Sequence, residues 1–234
     1  MPNRNVSKSV IKRLPIYLRI LDQLIQRKID MVSSKELSSE SGFTAEQIRK
    51  DLAYFGAFGT RGAGYNTAFL REKIIKIIGL DKTIDTIVIG AGNLGTALTR
   101  YNSAKNPYVN VVAVFDQDSR LIGKKIDNID IYSIEEIAAF IRKRNIKVSI
   151  ITVPAVAAQE IADLVVKHGV KALLNFAPVK LNVPEEVHVH NADLTIELQS
   201  LIYYSSAEED RLKRLHQEVT AVKSPKTLSL EEID

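Results

Sequence analysis

A glycine-rich run near the middle of the chain has the residue types and spacing that bind a dinucleotide. The run is Gly90-Ala91-Gly92-Asn93-Leu94-Gly95. It comes at the end of an apolar, strand-like segment, 86–90, and begins a segment with helical periodicity. In the pattern G-x-G-x-x-G the first glycine permits a tight turn, the second lets a pyrophosphate approach the backbone, and the third lets helix and strand pack closely. The N–H groups and the positive dipole end of the helix then favour phosphate. The run therefore predicts a dinucleotide site.

An acidic residue stands where the next strand of such a unit would end. Asp116 closes the apolar run 109–116 and comes 21 residues after Gly95. A carboxylate at this place accepts hydrogen bonds from the adenine-ribose hydroxyls and repels a 2′-phosphate, so the sequence favours NAD(H) over NADP(H). Arg120 lies nearby in sequence and weakens this preference slightly. The alternative is a doubly wound domain whose site is empty or adapted to another use.

A second group of polar residues belongs to short helices in the first third of the chain. Apolar residues recur at helical spacing over 16–25 behind Pro15, a residue that suits the first turn of a helix. Capping boxes that begin at Ser33 and Thr44 open two further helices, and Gly42 lies between them in a tight turn. Helices joined in this way by a tight turn are typical of a helix-turn-helix.

The third of these helices is the predicted recognition helix, whose N-terminal part enters the major groove of DNA. On this helix Gln47 and Arg49 can read base edges, and Lys50 can contact phosphate. The glycine-rich run 56–66 predicts the hairpin of a winged helix, with Arg61 at its tip, where it can enter a narrow A·T-rich minor groove. The alternative for each of these side chains is a solvated surface group without a partner.

The charge of the chain is distributed unevenly. Residues 1–80 contain 14 Lys and Arg against 7 Asp and Glu, a net charge of +7, whereas the remainder carries −3. A basic half indicates contact with nucleic acid or a membrane surface, and a solvated basic surface without a partner is the alternative. No cysteine is present, which excludes disulfides and thiolate metal sites. No apolar run resembles a signal peptide or a membrane span, and we expect a cytoplasmic protein.

Strands and helices alternate through the rest of the chain, which predicts a parallel, doubly wound sheet. The predicted fold class is therefore α/β, with an N-terminal winged helix-turn-helix domain over 1–80 and a C-terminal Rossmann domain over 81–205. Residues 206–234 are assigned to a C-terminal helix and a polar tail, and the tail, 224–234, has no assigned role. A short, separate amphipathic stretch is expected over 194–204.

The expected C-terminal helix begins at a capping box, Ser206 with Glu209, and carries an apolar stripe in an otherwise charged segment. The stripe consists of Leu212, Leu215, Val219 and Val222. Such a stripe must pack either on the core of its own chain or on a partner subunit.

Groups that could transfer a proton during hydride chemistry are poorly placed. Tyr101 and Lys105 have the Tyr-x-x-x-Lys spacing of some reductases, but they lie at the far end of the helix after the glycine run. His188 and His190 share one face of a short strand without a third ligand candidate, so no metal site is expected. About 30 residues follow the dinucleotide domain, too few for a substrate domain. An NAD-dependent oxidoreductase is thus the weaker hypothesis, and a constitutive, architectural DNA-binding protein is a third.

Four motifs together resemble the Rex family of bacterial redox-sensing repressors: QIRKDLAYFGAFGTRGAGY, IVIGAGNLGTAL, TVPA and NFAPV. The resemblance covers about residues 5–222, and the tail beyond Lys223 departs from the family in length and composition. It implies a homodimer with an exchanged C-terminal helix, in which NADH and NAD⁺ compete for one pocket and NADH closes the dimer and releases operator DNA. Because the dimer is symmetric, a pseudo-palindromic operator is expected.

The resemblance also implies roles for further residues. Those near the nicotinamide ring are Thr152, Val153, Pro154, Asn175, Phe176 and Pro178. Arg19, Tyr101 and Asp193 match three polar groups that re-pair across the dimer and form the predicted switch. A neutral dihydronicotinamide enters an apolar pocket at lower cost than the NAD⁺ cation, so NADH favours the closed state. We therefore predict a transcriptional repressor, not an enzyme, that senses NADH against NAD⁺.

Overall fold

The computed structural model describes residues 6–60 and 62–222. Packing divides the chain into two compact units, Met1–Ile84 with Asn102–Asn110, and Asp85–Tyr101 with Val111–Asp234. These units are defined by contacts between residues and not by function, so the domain boundaries predicted at residues 80 and 205 stay a prediction. Across the described ranges, no helix is long and apolar enough to cross a membrane.

The first unit begins with helices and short strands. In chain order they are α1 (Lys8–Gln26), β1 (Met31–Val32), α2 (Ser34–Ser41), α3 (Ala45–Ala53), β2 (Gly59–Thr60), β3 (Gly64–Asn66) and α4 (Thr67–Ile78). The strands pair antiparallel in the order β1-β3-β2. Gly64 has a φ of +84°, and a Cβ there would lie 2.5 Å from the carbonyl oxygen of Val32, so the middle strand requires glycine at this position. The helices and hairpin follow one another as in a winged helix-turn-helix.

The core of this unit forms where α1 packs against the other helices. Leu14, Leu18 and Leu21 recur three or four residues apart on one face of α1 and are buried. Ile48 and Leu52 of α3 belong to the same cluster. Apolar spacing on α1 and α3 therefore positions α3, the predicted recognition helix, directly on the core.

Pro15 lies inside α1, so the prediction that it occupies the first turn is wrong. The helix begins after Ser7, whose Oγ accepts a hydrogen bond from the N–H of Val10 at 3.4 Å. Pro15 removes one backbone donor and is exposed, whereas Val10 and Leu14 on the preceding turns are buried. Burial of that face keeps the helix continuous through a residue that usually interrupts one.

The helices of the helix-turn-helix begin at the predicted residues, with one difference in the caps. Ser33 Oγ accepts from the N–H of Glu36 at 3.1 Å, and Glu36 Oε2 accepts from the N–H of Ser33 at 2.7 Å, which completes a capping box. Thr44 Oγ1 accepts from the N–H of Gln47 at 3.1 Å. The second box is incomplete, because the side chain of Gln47 donates to Asp51 instead of returning to Thr44.

The second unit is built around a seven-stranded sheet in the order β10-β9-β8-β4-β5-β7-β6. Its elements and the segments that join the two units are β4 (Ile84–Ile89), α5 (Asn93–Lys105), β5 (Val109–Asp116), β6 (Lys125–Ile126), β7 (Ile129–Ser133), a 3₁₀ turn (Ile134–Glu136), α6 (Ile137–Arg144), β8 (Val148–Ile151), α7 (Ala155–Lys167), β9 (Ala172–Asn175), β10 (His188–Asn191) and α8 (Leu194–Val222).

The order of the strands is that of a Rossmann sheet. Without the short β6, which pairs antiparallel with β7, the strands numbered along the chain lie in the order 6-5-4-1-2-3. The pairs β4–β8, β8–β9, β9–β10 and β5–β7 are parallel. The predicted fold class is confirmed, and the strand order reverses between β4 and β8, where such sheets bind ligands.

The C-terminal segment differs from the prediction. Residues 194–222 form one helix, α8, and not a short stretch followed by a second helix that begins at Ser206. Ser206 Oγ donates to the carbonyl oxygen of Ile202 at 3.1 Å, so it bonds within the helix and is not a cap. No proline or glycine occurs between Leu194 and Val222, and nothing in the sequence interrupts helix propagation. The side chains of the predicted apolar stripe at 212–222 lie outside the described part of α8.

Candidate nucleotide site and candidate DNA-binding face

The three glycines lie in the loop between β4 and α5 (Gly90 and Gly92) and in the first turn of α5 (Gly95), and two of them are required by packing. Gly90 has a φ of +101°, and a Cβ there would lie 2.8 Å from the carbonyl oxygen of Thr152. A Cβ on Gly95 would lie 1.8 Å from the carbonyl oxygen of Gly90. A Cβ on Gly92 would meet no protein atom within 4 Å. The space beside Gly92 is therefore free for a ligand at the start of α5, where N–H groups lack intrahelical acceptors.

Thr152, directly after β8, supports the glycine turn from the neighbouring strand. Its N–H donates to the carbonyl oxygen of Ile89 at 2.8 Å. Its hydroxyl oxygen lies 2.9 Å from that same carbonyl oxygen and 3.0 Å from the carbonyl oxygen of Gly90. Thr152 thus links the ends of β4 and β8 at the place where the strand order reverses.

Asp116, at the end of β5, holds the glycine loop from the other side. Its Oδ2 accepts from the N–H of Ala91 at 2.6 Å, and its Oδ1 accepts from the N–H of Asp118 at 2.8 Å. A carboxylate has about four acceptor positions, so two remain for ribose hydroxyls. Arg120 donates to both carboxylate oxygens of Asp118, and these hydrogen bonds lower the pKa of Asp118 to about 2. The charge of Arg120 is therefore compensated locally, which supports the preference for NAD(H).

These residues border a cavity of about 550 Å³ at the carboxyl ends of β4, β5 and β8, within the size range of small-molecule sites. The predicted residues that line it are Gly90, Gly92, Leu94, Asp116, Thr152, Val153, Pro154, Phe176 and Pro178. Lining residues that the sequence did not indicate are Ile89, Phe115, Gln117, Ile134, Ala157, Ile161 and Ala177. Most of these are apolar residues at the ends of strands or on the first turns of helices, where only the assembled sheet places them together.

Asn175, predicted near the nicotinamide ring, is buried beneath the loop that follows β9 and does not line the cavity. Its Nδ2 lies 3.1 Å from the carbonyl oxygen of Ala177, and 2.9 Å from both Val179 O and Asn191 Oδ1. Its Oδ1 accepts from the N–H of Ala177 at 3.0 Å. Asn175 therefore shapes the loop that carries Phe176, and it positions the cavity wall instead of forming it.

The predicted nucleotide residues Ala91 and Asn93 are not among those that line the cavity. Ala91 is buried and donates its N–H to Asp116. Asn93 is the first residue of α5 and is exposed.

Within the described part of the chain, no group of three His, Cys, Asp or Glu side chains could hold a metal ion.

The predicted DNA-contacting residues of α3 differ in how firmly they are held. Arg49 and Lys50 are exposed; Arg49 Nη1 donates to Ser34 Oγ at 2.8 Å, and Lys50 Nζ lies 2.8 Å from a carboxylate oxygen of Glu46. Gln47 is half-buried and donates from Nε2 to Asp51 Oδ1 at 2.9 Å. Arg61 lies outside the described residues.

Asp51 is a residue of this helix that sequence reasoning missed. It is fully buried, and its carboxylate accepts four hydrogen bonds. Arg13 donates from Nε and Nη2 at 2.6 and 2.7 Å, Tyr17 OH donates at 2.7 Å, and Gln47 completes the set. Burial alone raises the pKa of Asp51, but these hydrogen bonds together lower it by more, so the pKa lies below its ordinary value. The carboxylate is thereby kept charged and attaches α3 to α1.

The three predicted switch residues lie on different elements. Arg19 is exposed on α1, and Tyr101 is 64% exposed near the end of α5. Asp193 precedes α8, and its Oδ1 accepts from the N–H groups of Thr195 at 3.0 Å and Ile196 at 3.2 Å. Asp193 is thus also the N-terminal cap of α8.

The first part of α8 exposes an unusual number of large apolar side chains, each between 57% and 70% exposed. They are Leu194, Ile196, Leu198, Leu201, Ile202, Tyr203 and Tyr204. So many exposed large apolar side chains on one segment indicate a candidate interaction surface.

Two family models match the chain, one described as a CoA binding domain over residues 81–179 and one described as a putative DNA-binding protein N-terminus over 5–53. The chain is 58% identical to the redox-sensing transcriptional repressor Rex of Natranaerobius thermophilus over 200 residues, which cover 86% of this chain and 91% of the relative. It is 44% identical to the protein of the same description from Carboxydothermus hydrogenoformans, with 87% and 98% covered.

Solved structures give the same similarity. RSP, a Rex-family repressor, superposes with a TM-score of 0.81 at 41% identity, covering 90% of this chain and all of that one. The structure of RSP in complex with β-NAD⁺ and operator DNA gives 0.82 at 42% identity over 92% and 99% of the two chains. The complex of RSP with β-NADH gives 0.80 at 40% identity over 91% and 100%.

Proposed function

The chain belongs to the Rex family of redox-sensing transcriptional repressors, and we propose that it binds operator DNA as a dimer and is released by NADH, with NAD⁺ competing for the same site. The observation that carries the proposal is the joint presence of a dinucleotide loop with its cavity and a helix-turn-helix in one chain. The relative RSP has been solved both with NAD⁺ and operator DNA and with NADH. Close relatives are repressors, and this chain is a regulator, not an enzyme.

The cavity supports a preference for the reduced nucleotide. Asp116 and the glycine loop form one side of it, and Val153, Pro154 and Phe176 contribute apolar surface on the other. An apolar wall favours the neutral dihydronicotinamide over the nicotinamide cation, because a charge loses more on desolvation. A difference of about 3 kcal/mol between two dimer states changes their ratio by more than a hundredfold. The protein then responds to the NADH/NAD⁺ ratio through the differential affinity of its two states.

The DNA contacts that we propose are Gln47 and Arg49 at base edges, Lys50 at phosphate and Arg61 in the minor groove. The placement of α3 supports these contacts on the helix, because one side of α3 is exposed and the other side is attached to the core by Asp51. The exposed apolar surface at the start of α8 supports a homodimer. A symmetric dimer places two recognition helices on a pseudo-palindromic operator. Because a repressor must reach its operator DNA, we place the protein in the cytoplasm.

Fluorescence anisotropy tests this function directly. Full-length protein is bound to a palindromic operator selected from a random library and titrated separately with NADH and NAD⁺. We expect NADH to release the DNA at concentrations at which NAD⁺ leaves the complex intact. Equal indifference to both nucleotides would leave a DNA-binding protein without a redox switch. Steady consumption of NADH with a small carbonyl substrate would instead favour the oxidoreductase.

A further inference from the structure

The side-chain amide of Gln47 is oriented by a partner that cannot donate a hydrogen bond. Its Nε2 lies 2.9 Å from Oδ1 of Asp51, one turn along α3. An ionised carboxylate is an acceptor only, so the group of Gln47 that faces it must be the NH₂ and not the carbonyl. The carbonyl oxygen Oε1 then stays available to a partner outside the protein, and Nε2 retains one hydrogen that this bond to Asp51 does not use.

The orientation is rigid because Asp51 itself is held on all sides. Arg13 grips both carboxylate oxygens from α1, and Tyr17 OH donates to Oδ2 at 2.7 Å. Asp51 is fully buried, and the guanidinium of Arg13 compensates its negative charge in a salt bridge. A carboxylate with four hydrogen bonds in a buried site has no alternative rotamer that satisfies the same donors. The amide of Gln47 is thus pre-oriented by residues 34 to 38 positions away from Asp51 in the chain.

We propose that Gln47 is a specificity-determining residue that presents Oε1 to the major groove and selects a base with an exocyclic amine, adenine or cytosine. The proposal rests on the proposed DNA-binding function and adds which chemistry the helix reads. Adenine N6 and cytosine N4 are the donors at the major-groove edge, whereas guanine and thymine present O6, N7 or O4 acceptors. An acceptor that faces an acceptor leaves both desolvated and unpaired, so guanine and thymine are disfavoured.

Arg13 and Asp51 are positioning residues in this scheme. Their role is to hold the amide before binding, so that less side-chain freedom is lost when a base is contacted. Arg49 and Lys50 lie on the same helix and are exposed, and neither has a buried partner among the described residues. Selectivity for a donor base is therefore concentrated at Gln47.

The test is selection of binding sites by full-length protein from a DNA library with randomised half-sites. At one symmetric pair of positions, wild type should enrich base pairs with adenine or cytosine on one given strand of the half-site over their strand-inverted forms by about five- to tenfold, less than a bidentate contact gives. Gln47→Met keeps the length of the side chain and removes its hydrogen bonding, so the preference at that pair alone should disappear. Gln47→Lys can still donate to Asp51 but presents only donors, so the preference should move to guanine.

Lys50→Gln is the matched contrast on the same helix. It should weaken binding to all sequences alike and lower the salt slope by about 1, without changing any base preference. The proposal is overturned if Gln47→Met leaves every position unchanged, or if the pair of positions it affects accepts a base pair and its strand-inverted form equally in the wild type, because one acceptor at a fixed place in the groove must distinguish the two. If Gln47→Met fails to fold, Gln47→Lys decides instead, and an unchanged base preference in that variant overturns the proposal. A wild type that enriches no sequence at all would instead contradict DNA binding itself.

Discussion

Glycine is required at the three positions of the G-x-G-x-x-G motif for different physical reasons. Gly90 and Gly95 lie against Thr152 and against each other, so a Cβ at either position would collide with backbone. Gly92 has no protein atom near its missing Cβ. A side chain at Gly92 would therefore occupy only the space that we assign to the pyrophosphate, whereas one at Gly95 would disturb the packing of α5 on the sheet.

Substitution separates these two roles. Gly92→Ala should weaken the binding of both NADH and NAD⁺ by about tenfold or more and leave the melting temperature near that of wild type. Gly95→Ala should cost about 1–3 kcal/mol of unfolding free energy, because the added methyl overpacks a closed contact. Nucleotide titration by protein fluorescence and urea unfolding measure the two effects. Normal nucleotide affinity in a folded Gly92→Ala protein would contradict the assignment of the loop.

Among the elements, α3 depends on α1 for more than apolar contact. The carboxylate of Asp51 joins the two helices through Arg13 and Tyr17. Burial and the hydrogen bond to Asp51 raise the pKa of Tyr17, so its hydroxyl stays protonated as the donor. The pKa of Asp51 is lowered in the folded state. Its charge therefore stabilises the fold in full above the unfolded pKa of about 3.9, and this contribution is lost as the pH falls through the folded pKa.

Asp51→Asn tests this attachment. At pH 7 the variant should be less stable by about 3 kcal/mol, because it leaves the partly buried guanidinium of Arg13 without its counter-charge. Between pH 5 and about pH 3 the stability of the wild type should decline more steeply than that of the variant. Urea unfolding across this range measures both. Glu46→Gln, on an exposed residue of α3, is the control and should change little; equal acid sensitivity in wild type and Asp51→Asn would refute the role of this carboxylate.

For the whole molecule, the proposed switch couples the nucleotide to the DNA through Arg19, Tyr101 and Asp193. Arg19 belongs to one compact unit, and Tyr101 and Asp193 belong to the other. Asp193 has a second role as the cap of α8, the helix that exposes the apolar surface we assign to the dimer. Asp193→Ala would therefore remove the charge and the helix cap together, so a second variant is needed that removes only the charge.

Asp193→Asn removes the charge and keeps an oxygen that can cap α8. We expect DNA binding without nucleotide to be unchanged and the NADH concentration for half-release to rise about tenfold, since a switch contact worth about 1.4 kcal/mol is lost. Asp193→Ala should show the same effect together with a less stable α8. Asp163→Asn, an exposed carboxylate on α7, is the matched control. Wild-type NADH sensitivity in Asp193→Asn would exclude Asp193 from the switch.

The sequence by itself determined the features that depend on local spacing. The glycine loop, Asp116 at the end of its strand, and the helix starts at Ser33 and Thr44 could be predicted because turns, caps and buried strands impose residue types on neighbouring positions. The parallel, doubly wound sheet followed from the alternation of strands and helices, since parallel strands need crossover connections, whereas the order of its strands is given by the structure.

Only the tertiary structure decided which distant residues meet. Asp51 looks like a surface residue in the sequence, and its burial depends on Arg13, 38 residues away. Asn175 was predicted at the ring, but bonds to its own loop and to Asn191 turn it away from the cavity. Pro15 continues a helix because burial of its neighbours outweighs one lost hydrogen bond. Long-range hydrogen bonding and burial select among local alternatives, and spacing along the chain does not encode that selection.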